Sequence, residues 1–389
     1  MKETILVINS GSSSIKFSIF TCSTLELLYH GEIKNILEKP QLNVFDEYHH
    51  LLFKQSISLQ KQKSPLNYLF DWLEHLKNQL KLIAVGHRVV HGGSYFSGPT
   101  LITEEVIQKM ASLNSLAPLH QALNIEPIKI ICKHYPQLIQ VACFDMTFHH
   151  TQDKLAQLFA IPRALTSEGI IRYGFHGISY EYIASVLPKY LEKKANDKII
   201  VAHLGQGASM CAMKNRKSVS TTMGFTALDG LMMGTRCGTI DPGVILYLLR
   251  EKKMSVKKVN ALLYQESGLL GVSGISSNMH ELLSSTEPHA AEAVELFCSR
   301  AASQLSALCA TLQGCDAIIF TAGIGENSAI IRKKICNQLQ WLGVFIDEDS
   351  NEKNASIISK LNSRVLVAVI PTNEELIIAK HTQHCIIKV

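Results

Sequence analysis

An apolar run, a glycine-rich turn and a second apolar run occur twice in this chain, at residues 4–20 (TILVINSGSSSIKFSIF) and again at 198–213 (KIIVAHLGQGASMCAM). The β-branched residues before Asn9 and the alternation after Ser14 read as strand, tight turn and strand. A third segment, 317–335 (AIIFTAGIGENSAIIRKKI), sets a glycine-rich turn between a strand and a helix. Apolar residues recurring at three and four spacings predict helices around 66–80, 103–113, 179–194 and 288–312. Strands mixed with helices argue for an α/β architecture, and the recurrence points to an internal duplication of one α/β unit. A cleft between two such units is a natural ligand site. At 389 residues the chain is too long for one ordinary core. No Pro- or Ser-rich linker marks the boundary, which is expected after the strand at 139–145, near His149 and His150. The polar stretch 345–363 reads as a plain surface excursion.

Charge and cysteine usage exclude several classes. The 38 basic and 33 acidic residues leave a net +5 with no long basic run, too weak and scattered for a nucleic-acid footprint. The ten cysteines form no C-x-x-C pair, so metal-knuckle spacing is absent and reduced, mostly buried thiols are expected. The apolar run at the N-terminus is too short for a signal peptide and soon reaches Asn9, Ser10 and Gly11. No apolar stretch is long enough to span a bilayer. The expected compartment is the cytoplasm.

Three themes carry chemistry. Glycine-rich turns let backbone N–H groups converge on phosphate oxygens, and here Ser12, Ser13 and Ser14 add hydroxyls and Lys16 a point charge. The segment is not a Walker A loop, because the second glycine and the Lys-Ser/Thr ending are missing. Taken alone, each turn reads first as an ordinary hairpin. Arginines flanked by glycine are the second theme, with Arg88 in GHRVVHGG and Arg236 in MGTRCG. A guanidinium fork binds carboxylate or phosphate bidentately. His87 and His91 have i, i+4 spacing, but Val89 and Val90 between glycines read as strand, which removes the metal reading. The third theme is isolated groups in apolar or glycine settings: Asp145 in ACFDMTFHH, His176 in YGFHGIS, and Glu374 with Glu375 in IPTNEEL. Each fits a Mg²⁺ or catalytic group, a helix-capping acid, or, for His176, a satisfied core histidine.

Together these segments resemble the acetate kinase family from Asn9 to about Lys380. NSGSSSIKF, HRVVHGG, FDMTFH, YGFHGIS, HLGQGAS, RCGTIDPG, AGIGENS and PTNEEL stand in the family's order. The resemblance implies the acetate and sugar kinase/Hsp70/actin fold, with two ribonuclease-H-like domains, the active site in the cleft between them, and a homodimer. The first domain is expected at 1–149, completed by a C-terminal helix over about 376–389. The second, nucleotide-binding domain is expected at 150–375.

Carried over by motif, Asn9 and Glu374 match the Mg²⁺ site, for which Mn²⁺ is an alternative ion. Ser12, Ser14 and Lys16 match the first phosphate loop. Arg88 matches the arginine that holds the substrate carboxylate, and Val90, Leu119 and Phe175 match the pocket around the substrate methyl. Asp145 matches the essential acid, while His176 and Arg236 match the groups that stabilise the moving phosphoryl. For ATP/ADP, His203, Leu204, Gly205, Gln206 and Gly207 match one nucleotide loop. Gly323, Ile324, Gly325, Glu326 and Asn327 match another, and Asn278, Met279 and His280 match the adenosine segment. The chain departs from the pattern in places. Tyr180 stands where members commonly have a second histidine, and Asn278-Met279-His280 replaces a frequent Asp-Met-Arg. Ala227 replaces a pocket proline, and Thr239 an acid.

The resemblance implies direct in-line phosphoryl transfer between ATP and acetate, without a phospho-enzyme. A carboxylate is already ionised at neutral pH, so no proton needs removing. Asp145 is therefore expected to orient Mg²⁺-bound water or Arg236 rather than act as a general base. A propionate kinase on the same scaffold and an actin- or Hsp70-like ATPase switch are the competing readings. Val90 narrows the acyl pocket, and Ala227 widens it.

Overall fold

A computed structural model describes residues 1–11, 14–36, 39–57, 64–117 and 120–387. Ser12 of the first phosphate loop and Leu119 of the methyl pocket lie outside the described residues. The chain divides into two units, Met1–Thr147 with Asn373–Val389, and Phe148–Thr372.

The first unit is built on one sheet. Its strands are β1 (Lys2–Ser10), β2 (Ser14–Thr21), β3 (Leu27–Lys34), β4 (Gln41–Asp46), β5 (Leu51–Ser56), β6 (Leu80–Val89), β7 (Thr100–Leu101) and β8 (Ile139–Phe144). The spatial order is β5-β4-β3-β2-β1-β6-β8-β7. β1, β2 and β3 form an antiparallel meander, whereas β6 pairs parallel with both β1 and β8. Fully buried Ile5, Leu6, Val7 and Ile8 account for the apolar run of β1, which lies in the middle of the sheet. The helix Glu374–Ile387 packs across β1, β6 and β8. Gly86 permits that approach, since a Cβ there would sit 2.2 Å from Thr382 Oγ1 and 2.7 Å from Ile378 Cγ2.

The second unit repeats the plan. Its sheet joins β9 (Ile199–Leu204), β10 (Ala208–Lys214), β11 (Lys217–Thr221), β12 (Ala317–Thr321) and β13 (Leu366–Val369) in the order β11-β10-β9-β12-β13. β9, β10 and β11 are antiparallel, and β12 pairs parallel with β9 and β13. The order and strand directions match β3-β2-β1-β6-β8, so the duplication expected from the two strand–turn–strand segments holds at the level of topology. The fold is mixed α/β with two sheets of ribonuclease-H-like topology. The 25-residue helix Pro288–Leu312 begins with proline at its first position and packs on the antiparallel strands, burying Phe297, Ala301 and Leu305.

One expectation is corrected. The stretch 345–363 is more than a surface excursion: it contains the short helix Glu348–Glu352, where Asn351 is only 2% exposed. Its Oδ1 accepts from Arg332 Nε at 2.8 Å, so this stretch supports the segment that follows β12. Among the described residues no helix is long and apolar enough to cross a membrane.

Candidate active site

In the first unit, β1 delivers Asn9 to the mouth of the first glycine-rich turn, and β2 leaves that turn with Ser14 and Lys16. Asn9 and Lys16 face one another across the antiparallel pair, and Gly11 N–H closes the turn on Ser14 O at 2.9 Å. β6 runs parallel to β1 and carries Arg88 near its end, and β8 runs out into Asp145. Three candidate groups therefore emerge at the C-terminal ends of adjacent parallel strands, the usual ligand end of such sheets.

Arg88 is gripped from two sides. Its Nε and Nη2 donate to Asp145 Oδ1 and Oδ2 at 2.9 and 2.7 Å, and its Nη1 lies 3.0 Å from Glu374 Oε2. Burial opposes the guanidinium charge, but Asp145 and then Glu374 outweigh it, so its pKa is raised and the cation is secure. Glu374 opens the C-terminal helix beside Glu375, whose pKa is raised by burial and by Glu374. Asn373 caps that helix by accepting from Leu376 N–H at 2.9 Å. Asp145 was expected to serve Mg²⁺-bound water or Arg236, and the geometry adds a bidentate contact with Arg88.

Two residues the sequence reading passed over hold this end of the sheet. Gln121 and Asn124, three apart on the helix Gln121–His134, are 0% and 3% exposed. Asn124 accepts from Val90 N–H at 3.0 Å and donates to Ser10 O at 2.9 Å, which ties the Arg88 strand to the first turn. Gln121 exchanges hydrogen bonds with the backbone of His91. Val90 is buried at 8% exposure. His87 lies on β6 and gives Nε2 to Gln140 Oε1 at 2.8 Å, and burial pushes its pKa down to about 4.

In the second unit the site is built around His176. This residue is the N-cap of the helix Gly177–Leu191 and adopts a left-handed φ of 57°. Left-handed backbone is uncommon for a non-glycine residue, and it fixes the direction in which the imidazole leaves the helix start. The strand register sets Ser209 opposite His203, so both point to one face of the sheet. His176 Nδ1 lies 2.8 Å from Ser209 Oγ, and its ring stacks on His203 with centroids 4.2 Å apart. His203 Nδ1 meets Ser179 Oγ at 2.9 Å, and Ser179 meets Thr372 at the same distance. The other edge of His176 lies over Gly207, where a Cβ would sit 3.1 Å from Nε2. Phe175 is 1% exposed, and its carbonyl accepts from His149 Nε2 at 3.0 Å. His149, noticed in the sequence only as a boundary marker, is therefore a brace for the His176 loop.

Arg236 lies on a loop whose Gly234 N–H donates to Gln206 O at 3.1 Å, joining it to the turn of Gly205, Gln206 and Gly207. Its Nη1 donates to Ala227 O at 2.9 Å, so the backbone of Ala227 orients the guanidinium whatever its side chain does to the acyl pocket. Thr239 donates to Asp229, which also pairs with Arg172 at 3.4 Å.

A cavity of about 580 Å³ brings together three of the segments read as nucleotide-binding. Gly205 and Gln206 line one side, Asn278, Met279 and His280 another, and Gly323, Ile324 and Asn327 a third. Its size suits a nucleoside phosphate. Leu204 and Gly207 flank the first of these walls and Gly325 belongs to the third, but none of them is among the lining residues. Asn278 Oδ1 caps the following short helix, Met279 is buried and His280 is exposed. Gly323 has nothing within 4 Å of a hypothetical Cβ. Glu326 faces the other way, accepting from Ala322 N–H at 2.7 Å and Thr372 N–H at 3.0 Å. Fully buried Arg332 locks the far end by donating to the carbonyls of Gly325 and Glu326, both at 2.9 Å.

Comparison with known proteins agrees with this assembly. The sequence pattern of the acetokinase family matches residues 4–380. The acetate kinase of Rhodopseudomonas palustris (strain TIE-1) is 48% identical over 389 residues, covering 98% of each chain. Among solved structures, a propionate kinase from Francisella tularensis superposes with a TM-score of 0.92 at 38% identity, covering 98% of this chain and 99% of that one. The acetate kinase of Porphyromonas gingivalis gives a TM-score of 0.85 at 33% identity, covering 99% and 100%.

Proposed function

The chain belongs to the acetokinase family, and from that premise we propose that it catalyses reversible phosphoryl transfer between ATP and acetate, giving ADP and acetyl phosphate. The observation that carries this reading is Arg88, a buried guanidinium fixed side-on by Asp145 with Nη1 against Glu374. Such a group binds a carboxylate by its remaining N–H donors. The nucleotide falls to the cavity lined by Gly205, Asn278 and Gly323.

In this mechanism Arg88 orients the acceptor carboxylate, and Asp145 orients Arg88. The nucleophile is ionised at neutral pH, so Asp145 removes no proton. Val90, Leu119 and Phe175 are the groups proposed around the methyl. His176 and Arg236 donate to the equatorial oxygens of the transferring phosphoryl, whose charge is met mainly by positioned donors. Ser12, Ser14 and Lys16, with the His203–Gly207 and Gly323–Asn327 turns, hold the phosphates. Asn9 and Glu374 offer oxygen donors only, with no thiolate or imidazole between them, a set that suits a hard cation taking few protein ligands. Glu374 Oε2 is engaged by Arg88, which leaves Oε1. These two residues would hold Mg²⁺, which supplies charge neutralisation on the nucleotide phosphates.

A propionate reading has two supports: the similarity to the Francisella propionate kinase and Ala227 in place of a pocket proline. One methylene is worth about 1–3 kcal/mol in such a pocket, so acceptor overlap is expected. Hydroxylamine trapping with acetate, propionate and butyrate in parallel tests both readings. Hydroxamate from acetate supports the first, a clear preference for propionate the second, and none from any acid removes both.

We assign the two units as the two domains, with boundaries near 147 and 373 rather than the 149 and 376 expected from motifs. A homodimer is proposed through the helix Pro242–Arg250. Not one of its residues is buried, and Val244, Leu246 and Tyr247 are 40, 47 and 51% exposed. An apolar helix face of that kind needs a partner. The ten cysteines are all free thiols, which suits the reducing cytoplasm.

A further inference from the structure

The helix that begins at His176 carries Ser179 and Tyr180 three and four residues on, so these side chains share one face. Tyr180 is fully buried, and its hydroxyl lies 2.5 Å from Ser209 Oγ. Ser209, also fully buried, is 2.8 Å from His176 Nδ1 on its other side. The three groups form a chain: phenol, hydroxyl, imidazole. Burial pushes the Tyr180 phenol well above its usual value, with Cys211 adding to the shift, so the phenol keeps its proton.

A serine hydroxyl has one proton to give and two lone pairs. If Tyr180 donates to Ser209, Ser209 can donate to His176 Nδ1, and both buried hydroxyl protons have an acceptor. If instead His176 carries its proton on Nδ1 and donates to Ser209, one buried O–H is orphaned. Either Ser209 passes its proton to Tyr180 and the phenol has no acceptor, or the phenol also donates to Ser209 and the serine proton has none. Leaving such a group unsatisfied disfavours an arrangement by roughly ten- to a hundredfold.

We propose that Ser209, its proton aimed by the Tyr180 phenol, holds His176 as the neutral imidazole with its proton on Nε2. The Nε2 edge is the one that lies over Gly207 in the glycine-rich turn. His176 therefore meets the phosphoryl as a pre-oriented N–H donor that needs no charge of its own. Ser209 is a positioning residue: it acts on His176 through one hydrogen bond, with Tyr180 behind it. The role assigned to the donor rests on the proposed phosphoryl transfer, while the tautomer itself does not.

Long-range ¹H–¹⁵N NMR of the full chain labelled with ¹⁵N-histidine distinguishes the two neutral tautomers, and a His176→Gln variant identifies the resonance. The wild type is expected to show the Nε2–H pattern at His176. Tyr180→Phe removes only the phenol and leaves the Ser209 proton with Nδ1 as its acceptor, so the Nε2–H form should persist. Ser209→Ala removes the donor to Nδ1, so the Nδ1–H form should become populated and kcat should fall about tenfold with little change in KM. An Nδ1–H pattern in the wild type overturns the proposal, as does an unchanged tautomer in Ser209→Ala or a lost Nε2–H form in Tyr180→Phe. A wild type that shows Nε2–H, loses it in Ser209→Ala and yet makes no acyl phosphate sustains the relay and rejects the function. An active enzyme with Nδ1–H rejects the relay alone.

Discussion

Asp145 meets Arg88 side-on, with Oδ1 2.9 Å from Nε and Oδ2 2.7 Å from Nη2. The pair comes from neighbouring parallel strands, β6 and β8, whose register brings Arg88 opposite Cys143, so Asp145 follows two residues on. Asp145 is 1% exposed, and a carboxylate so enclosed needs its cation. Replacing it with asparagine keeps the shape and removes the charge that fixes Arg88. kcat/KM for the carboxylate should fall by about 10²–10³, with no recovery on adding external bases. Steady-state kinetics with varied acetate checks this, and rescue by small bases would instead make Asp145 a proton acceptor.

Gly207 is constrained by its neighbour. A Cβ would stand 3.1 Å from His176 Nε2 and 3.3 Å from Cε1, close enough to displace the imidazole. Gly207→Ala should leave the thermal midpoint nearly unchanged and lower turnover by about tenfold or more, since misplacing a catalytic donor is costly. Calorimetry beside initial rates separates the two effects.

Among the described residues Arg332 is the largest fully buried side chain, and no carboxylate there pairs with it. Its five contacts are Asn351 Oδ1, Asn351 O, Asn354 Oδ1, Gly325 O and Glu326 O. Five donors meet five acceptors. Arg332→Lys can satisfy at most three and orphans the others at ~1–3 kcal/mol each. Urea unfolding should show a loss of about 3 kcal/mol, and KM for ATP should rise, because the lost bonds include the end of the Gly323–Asn327 turn.

His87 and His149 are buried as neutral imidazoles, and burial pushes each down to about 4. Their unfolded forms titrate near 6.5. Between those values the unfolded chain binds more protons, so their contribution to stability is intact above about pH 6.5 and is lost as pH falls toward 4. The loss between pH 7 and pH 5 is about 2 kcal/mol for each histidine. Denaturant titrations at the two pH values measure it. His149→Asn, which keeps a donor for Phe175 O, should remove about half of the effect.

Leu246 is 47% exposed on the helix Pro242–Arg250, none of whose residues is buried. Leu246→Glu should convert a dimer to a monomer in light scattering coupled to size exclusion. A wild type that is already monomeric removes the proposed interface.

Much of the fold was legible because its signals are periodic. The β1 and β9 runs, the glycine turns after them and the helix Pro288–Leu312 follow from apolar spacing alone. The candidate groups were legible as motifs wherever glycine lies beside a polar side chain, as at Arg88, His176 and Arg236. What the sequence hid was polar groups spaced as a helix face. Gln121 and Asn124 look like ordinary surface residues until the helix turns them inward, and Ser179 and Tyr180 look like interior filler. Their three- and four-residue spacing from each other or from His176 is the signal that could have found them. Arg332 and Asn351 were invisible for another reason: each is satisfied by backbone and amide groups brought together only by folding.

The central claim is that the acceptor of the phosphoryl group is a carboxylate held by Arg88. The direct measurement is ³¹P NMR of the full chain with ATP, Mg²⁺ and acetate. The account predicts an acyl phosphate resonance that grows with ADP, and its loss in Arg88→Ala while the nucleotide still binds. ADP appearing with inorganic phosphate alone, at a rate indifferent to acetate, would contradict it and point to a hydrolase.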